Sequence, residues 1–115
     1  MNEKRRNRIQ NRHTRDDELA QREALRRVLS QVDGRRLFWG ILSETGLFEN
    51  PHTGNALDTA FRSGQMSVGQ AVLLRIEQAD KRAFLQMQEE NIQIQETLTG
   101  QLAEDDEDEY ATDDS

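Results

Sequence analysis

The sequence predicts an all-α protein: a small helical domain with a long C-terminal helix and charged termini that lack fixed structure. Three observations carry this reading. Apolar residues recur at spacings of three and four, as in Leu25, Val28, Leu29 and Val32, which is the period of one helical face. No stretch alternates apolar and polar residues as a half-buried strand would, and no internal repeat is present. Core-forming residues are also concentrated: Gly34–Ile76 holds the only Trp, the only Pro, three of the four Phe and six of the seven Gly.

In chain order, residues 1–13 are charged and nearly free of apolar side chains, so they are expected to be disordered when free. A first helix is expected to open at Thr14, whose hydroxyl can cap while Asp16, Asp17 and Glu18 favour the positive helix end. Its buried stripe is Leu25, Val28, Leu29 and Val32. Asp33 then caps a second helix that buries Leu37, Phe38, Ile41 and Leu42, with Trp39 to one side. Gly46 fits the left-handed position that ends a helix, which would return Leu47 toward Leu42.

Phe48 to Asn55 reads as a true loop, because Pro51 disfavours helical geometry at Asn50 and Thr53-Gly54-Asn55 has turn chemistry. Asn55 can cap a short helix through Leu57, Ala60 and Phe61, ended by Gly64. Ser67-Val68-Gly69-Gln70 has the form of a capping box. A long helix would follow, with Val72, Ile76, Ala79 and Ala83 inward and Phe84, Met87, Ile92, Ile94 and Leu98 in drifting phase. It would reach about Leu98 and span about 45 Å. That exceeds what a small core can cover, so its distal half is expected to project, pair with another copy or lie on a partner. Gly100 closes it. The resulting boundaries are a basic arm at 1–13, a helical domain at 14–99 with its compact part at 19–87, and an acidic tail at 100–115.

A chain of 115 residues, 34% apolar and 32% charged, is one small domain at most. The absence of cysteine excludes disulfides and thiolate metal sites and points to a reducing compartment. The basic, polar start has no apolar segment behind it, so no secretory signal is expected, and no run is apolar enough to span a membrane. The net charge of −7 conceals a polarity along the chain. Lys4, Arg5, Arg6, Arg8, Arg12 and Arg15 against Glu3 give the first fifteen residues a net +5. Residues 104–114 carry −8.

The six cations are the candidate nucleic-acid contacts, through phosphate neutralisation, although the arm has no aromatic side chain for base stacking. The other readings of the arm are a solvated tail or an electrostatic partner for the acidic tail. The acidic tail in turn reads as a solubilising segment or as a competitor for basic surfaces. Arg35 and Arg36 oppose the helix dipole at the start of the second helix. A salt bridge to Glu44, Glu49 or Asp58 would explain them structurally, and an acidic partner would explain them functionally.

His52 and Asn55 belong to the most polar loop cluster, and Trp39 is either core or partner-facing. Arg35, Arg36, Trp39, His52 and Asn55 are therefore the candidate partner-binding residues. His13 and His52 have no companion ligands at metal spacing, Ser43, Ser63 and Ser67 have no nucleophile-elbow context, and no Gly-rich phosphate loop occurs. No enzyme activity, cofactor or metal is expected.

The residues Gly34-Arg35-Arg36-Leu37, Phe38-Trp39, Gly46-Leu47-Phe48, His52-Thr53-Gly54-Asn55, Phe61, Gly64, Val68-Gly69, Leu73-Leu74 and Ile76 resemble a family. It is a small, functionally uncharacterised family of tailed-bacteriophage proteins, named after a member in a Bordetella podophage. The resemblance covers residues 34–76, its glycines and the Thr-Gly-Asn turn being most specific. It departs at His52, where an aromatic residue is expected, and at Gln65-Met66-Ser67, in place of a more basic step. The resemblance implies a product encoded near head and packaging components, with no active site to carry over. The expectation is a non-enzymatic virion morphogenesis or virion-associated accessory protein acting by protein–protein contact in the host cytoplasm and/or virion. Its partners would be capsid, portal or other assembly proteins, with DNA through the arm and a second copy through the long helix as further candidates. The alternative is a small nucleic-acid-binding protein with an autoinhibitory acidic tail.

Overall fold

A computed structural model describes residues 2–113, with side chains through Glu109. The expectations for Met1 and residues 114–115 lie outside the described residues. Four helices and no strand are present among the described residues: α1 (Glu3–Leu29), α2 (Val32–Glu44), α3 (Ala56–Ala79) and α4 (Ala83–Asp113). The chain divides into two units, Met1–Phe84 and Leu85–Ser115.

Helix α1 begins at Glu3 rather than Thr14, so the segment expected to be an irregular arm is helical. Asn2 supplies the cap, its Oδ1 accepting from the Lys4 backbone N–H at 3.0 Å. The Glu, Lys, Arg and Gln that follow lose little side-chain freedom in a helix, and no Gly or Pro interrupts them. The Thr14 hydroxyl instead donates to the Gln10 carbonyl within the helix. Exposure agrees with the composition: every side chain from Asn2 to Ala24 is solvent-facing. Of the predicted stripe, Leu29 is fully buried and Leu25 half-buried, while Val28 and Val32 are exposed.

The turn between α1 and α2 occupies only Ser30 and Gln31, three residues before the expected break. Gln31 is extended at φ −110°, ψ 145°, and Asp33 lies inside α2 instead of capping it. Gly34 makes this corner feasible, because a Cβ there would collide with the Val28 carbonyl and side chain. Arg35 completes it by donating from Nη1 to the Leu29 carbonyl at 3.0 Å. This bond to the carbonyl end of α1 is a contact that the sequence reading, with Glu44, Glu49 or Asp58 as the candidate partners, did not anticipate.

Helix α3 runs unbroken through Gly64, and the Ser67 hydroxyl donates to the Ser63 carbonyl instead of capping a new helix. Neither signal breaks a helix whose neighbours continue it. The real interruption is at Asp80, which is extended at φ −154°, ψ 111°. Its Oδ1 accepts the Arg82 backbone N–H at 2.9 Å, and α4 starts at Ala83. The single helix expected from Ser67 to Leu98 is therefore two. Helix α4 nevertheless has 31 residues and continues past Gly100 through much of the stretch expected to be an irregular tail.

In the first unit, Leu29, Leu42 and Ile76 are fully buried, each worth about 2 kcal/mol of hydrophobic stabilisation. Gly69 lets α3 approach the end of α2, since a Cβ there would meet the Thr45 hydroxyl and, at 3.2 Å, Leu47 Cβ. Arg75 Nη2 donates to Gln21 Oε1 at 2.9 Å, tying α3 to α1. Leu37 and Phe61, expected inside, are 62% and 67% exposed. Helical periodicity identifies a face but not whether this chain covers it.

Candidate interaction surface

The loop from Thr45 to Asn55 is built by short-range bonds. The Thr45 hydroxyl donates to the Leu42 carbonyl at 2.6 Å, and the Gly46 N–H donates to the Ser43 carbonyl at 3.1 Å. Gly46 takes φ +70°, the left-handed geometry read from the sequence. Asn50 Oδ1 accepts the His52 backbone N–H across Pro51. Gly54 takes φ +84°, and Asn55 Oδ1 then accepts from the backbone N–H groups of Leu57 and Asp58, at 3.0 and 3.2 Å. Thr53 joins the loop to α3, its N–H donating to the Thr59 hydroxyl.

A cleft of about 390 Å³ lies between this loop, the end of α2 and the first half of α3. Glu44, Glu49 and Asp58 line it with one cation, Arg62, and Phe61 stands in its wall. On α3, Leu57, Phe61 and Val68 are 82%, 67% and 58% exposed. At 100° per residue these three and Gly64 fall within an arc of about 60°. A Cβ on Gly64 would meet nothing within 4 Å. Glycine in a helix interior costs about 1 kcal/mol relative to alanine, and no intrachain contact here requires it.

Trp39 stacks with Phe48 at a centroid distance of 5.0 Å and with Phe84 at 6.1 Å; Phe48 and Phe84 are 6.3 Å apart. Trp39 is half-buried, and Phe48 remains 49% exposed. Of the other sequence-selected residues, Arg35 and Asn55 bond to the backbone, whereas Arg36 and His52 are exposed. Arg35, Arg36 and Trp39 lie on α2, and His52 and Asn55 lie in the loop that leads into α3.

Lys4, Arg5, Arg6, Arg8, Arg12 and Arg15 are all exposed on α1, and Arg5, Arg8, Arg12 and Arg15 share an arc of about 80°. From Leu85 to Glu109 the second unit carries nine carboxylates and no Lys or Arg. The sequence reading missed Leu57, Phe61, Gly64 and Val68 as a joint surface, although their spacing was visible.

Comparison with known proteins gives one family match: a model described as Bbp19-like phage protein aligns with residues 25–89, more than half of the chain and all of the Gly34–Ile76 block. Neither the curated proteins nor the solved structures supply a match.

Proposed function

The chain belongs to the Bbp19-like phage protein family, and from that premise we propose that it is a non-enzymatic morphogenesis or virion-associated protein acting by protein–protein contact. The observation that carries this reading is the outer face of α3. Singly exposed apolar residues are ordinary, but a contiguous apolar stripe on a small domain marks a surface that another protein covers. Capsid, portal and other assembly proteins are the partners this reading entails, met in the host cytoplasm or in the virion. No helix among the described residues is long and apolar enough to cross a membrane.

The test is mass spectrometry of mature particles beside DNA-free precursors from a phage encoding this chain. The reading expects the protein in one or both; absence from both overturns it.

The arginine face of α1 favours a second reading, phosphate contact on nucleic acid with the acidic end of α4 as competitor. Such binding would weaken with salt and disappear on deletion of residues 1–15. Retention of DNA binding by the deleted protein would overturn it.

A further inference from the structure

We propose that one face of α1, running from Lys4 to Arg26, is a docking surface for double-stranded nucleic acid. The inference rests on the nucleic-acid reading above and adds the extent of the surface and the kind of strand it takes.

Charge on α1 is sorted by face. The arc that holds Arg5, Arg8, Arg12 and Arg15 does not end with them: widened to about 100°, it also takes in Lys4, Arg22 and Arg26. Seven of the nine Lys and Arg of the helix therefore lie on it, against one of the five carboxylates, Glu23 at its edge. Asp16 stands just outside the arc, and Leu19 is its one uncharged residue. Arg6, Arg27, Asp17 and Glu18 lie elsewhere around the helix, and all of these side chains are exposed. Glu23 pairs with Arg26 at 2.9 Å. An exposed pair of this kind contributes about 1 kcal/mol or less, so it leaves Arg26 available to a phosphate.

The row of cations is about 33 Å long, close to the roughly 34 Å of one duplex turn. Its length favours a polyphosphate over the chain's own carboxylates, since the acidic run Glu104–Glu109 covers only about 9 Å of helix. Its shape favours a duplex over a single strand. Single strands are held in basic grooves and on aromatic side chains, whereas α1 is a convex rod without Phe, Tyr or Trp. A duplex presents its phosphates already ordered, at one charge per about 1.7 Å of axis, and its major groove admits a helix.

Fluorescence anisotropy of the full chain tests the proposal, with a labelled DNA duplex of about 20 base pairs, two turns, and with one of its strands alone. The duplex should bind at least about tenfold more tightly at low salt. Arg22→Gln combined with Arg26→Gln should reduce the log–log salt slope by about two, at roughly 0.9 per phosphate. Arg6→Gln combined with Arg27→Gln removes the same charge from outside the arc and should change the slope far less. Glu23→Gln should tighten duplex binding, whereas Asp17→Asn should not. Unchanged helical circular dichroism verifies the folding of each variant. Equal effects of the two arginine pairs, a single strand bound as tightly as the duplex, or easier displacement by polyglutamate than by unlabelled duplex would overturn the proposal. Binding that is lost on deletion of residues 1–15 but indifferent to Arg22 and Arg26 would overturn it and leave the nucleic-acid reading standing. No DNA binding at low salt would end both.

Discussion

The Arg35 guanidinium donates to the carbonyl of Leu29, and this bond joins the end of α1 to the start of α2. A cation that opposes the dipole of its own helix thereby complements the carbonyl end of the preceding one. Leu29 is fully buried, so the contact also fixes a core residue. Replacing Arg35 with Met keeps much of the apolar stem and removes the donor. The expected loss is about 1.5–3 kcal/mol, the range for hydrogen bonds to charged groups, measured by urea unfolding. An unchanged midpoint and slope would remove this bond from the account.

Three glycines should respond differently to the same methyl group. Gly34→Ala forces a Cβ onto the Val28 backbone, and Gly69→Ala forces one onto Thr45 and Leu47. Each should destabilise the chain by about 1–3 kcal/mol, with Gly34→Ala worse because backbone yields least. Gly64→Ala, with open space around it, should stabilise the isolated chain by up to about 1 kcal/mol. Thermal melts at low protein concentration rank the three.

The loop should depend on Gly54 and Asn55 through backbone geometry. Gly54→Val places a β-branched residue at φ +84° and should cost about 1–2 kcal/mol. Asn55→Ala removes the acceptor for two N–H groups at the start of α3 and should cost about 1 kcal/mol. A Gly54→Val protein with unaltered melting but lost assembly would instead make the turn a binding element.

The basic half of α1 should matter to charge and little to folding, since every side chain from Asn2 to Ala24 is exposed. Changing Arg5, Arg8, Arg12 and Arg15 together to Gln should leave the melting temperature nearly unchanged. If the nucleic-acid reading holds, DNA retention at low salt should fall and the salt slope shrink by about one for each phosphate contact removed. Filter binding across a salt series gives both quantities.

Local chemistry was the legible part of this sequence. Gly46, Gly54 and Asn55 can be assigned from sequence because a left-handed turn and an N-cap each depend on a few adjacent residues. The family resemblance carried by Gly34–Ile76 is borne out by the match over residues 25–89. Helix ends were harder, since Thr14, Ser67 and Gly100 offer stop or start signals that good helix formers on both sides override. The corner at Asp80 has only one capping carboxylate to announce it. The Arg35–Leu29 bond was unreadable because its acceptor is a backbone carbonyl, which has no letter in the sequence. Phe61 and Leu37 look like core from spacing alone, and only the packed structure shows their faces open.

The most direct test of the interaction account is complementation of a phage deleted for this gene. A variant carrying Leu57→Glu and Phe61→Glu, its folding verified by thermal melting, would be supplied in place of the wild-type chain. The account predicts that particle yield falls at least tenfold while the variant remains folded and abundant. Full yield from that variant would contradict it.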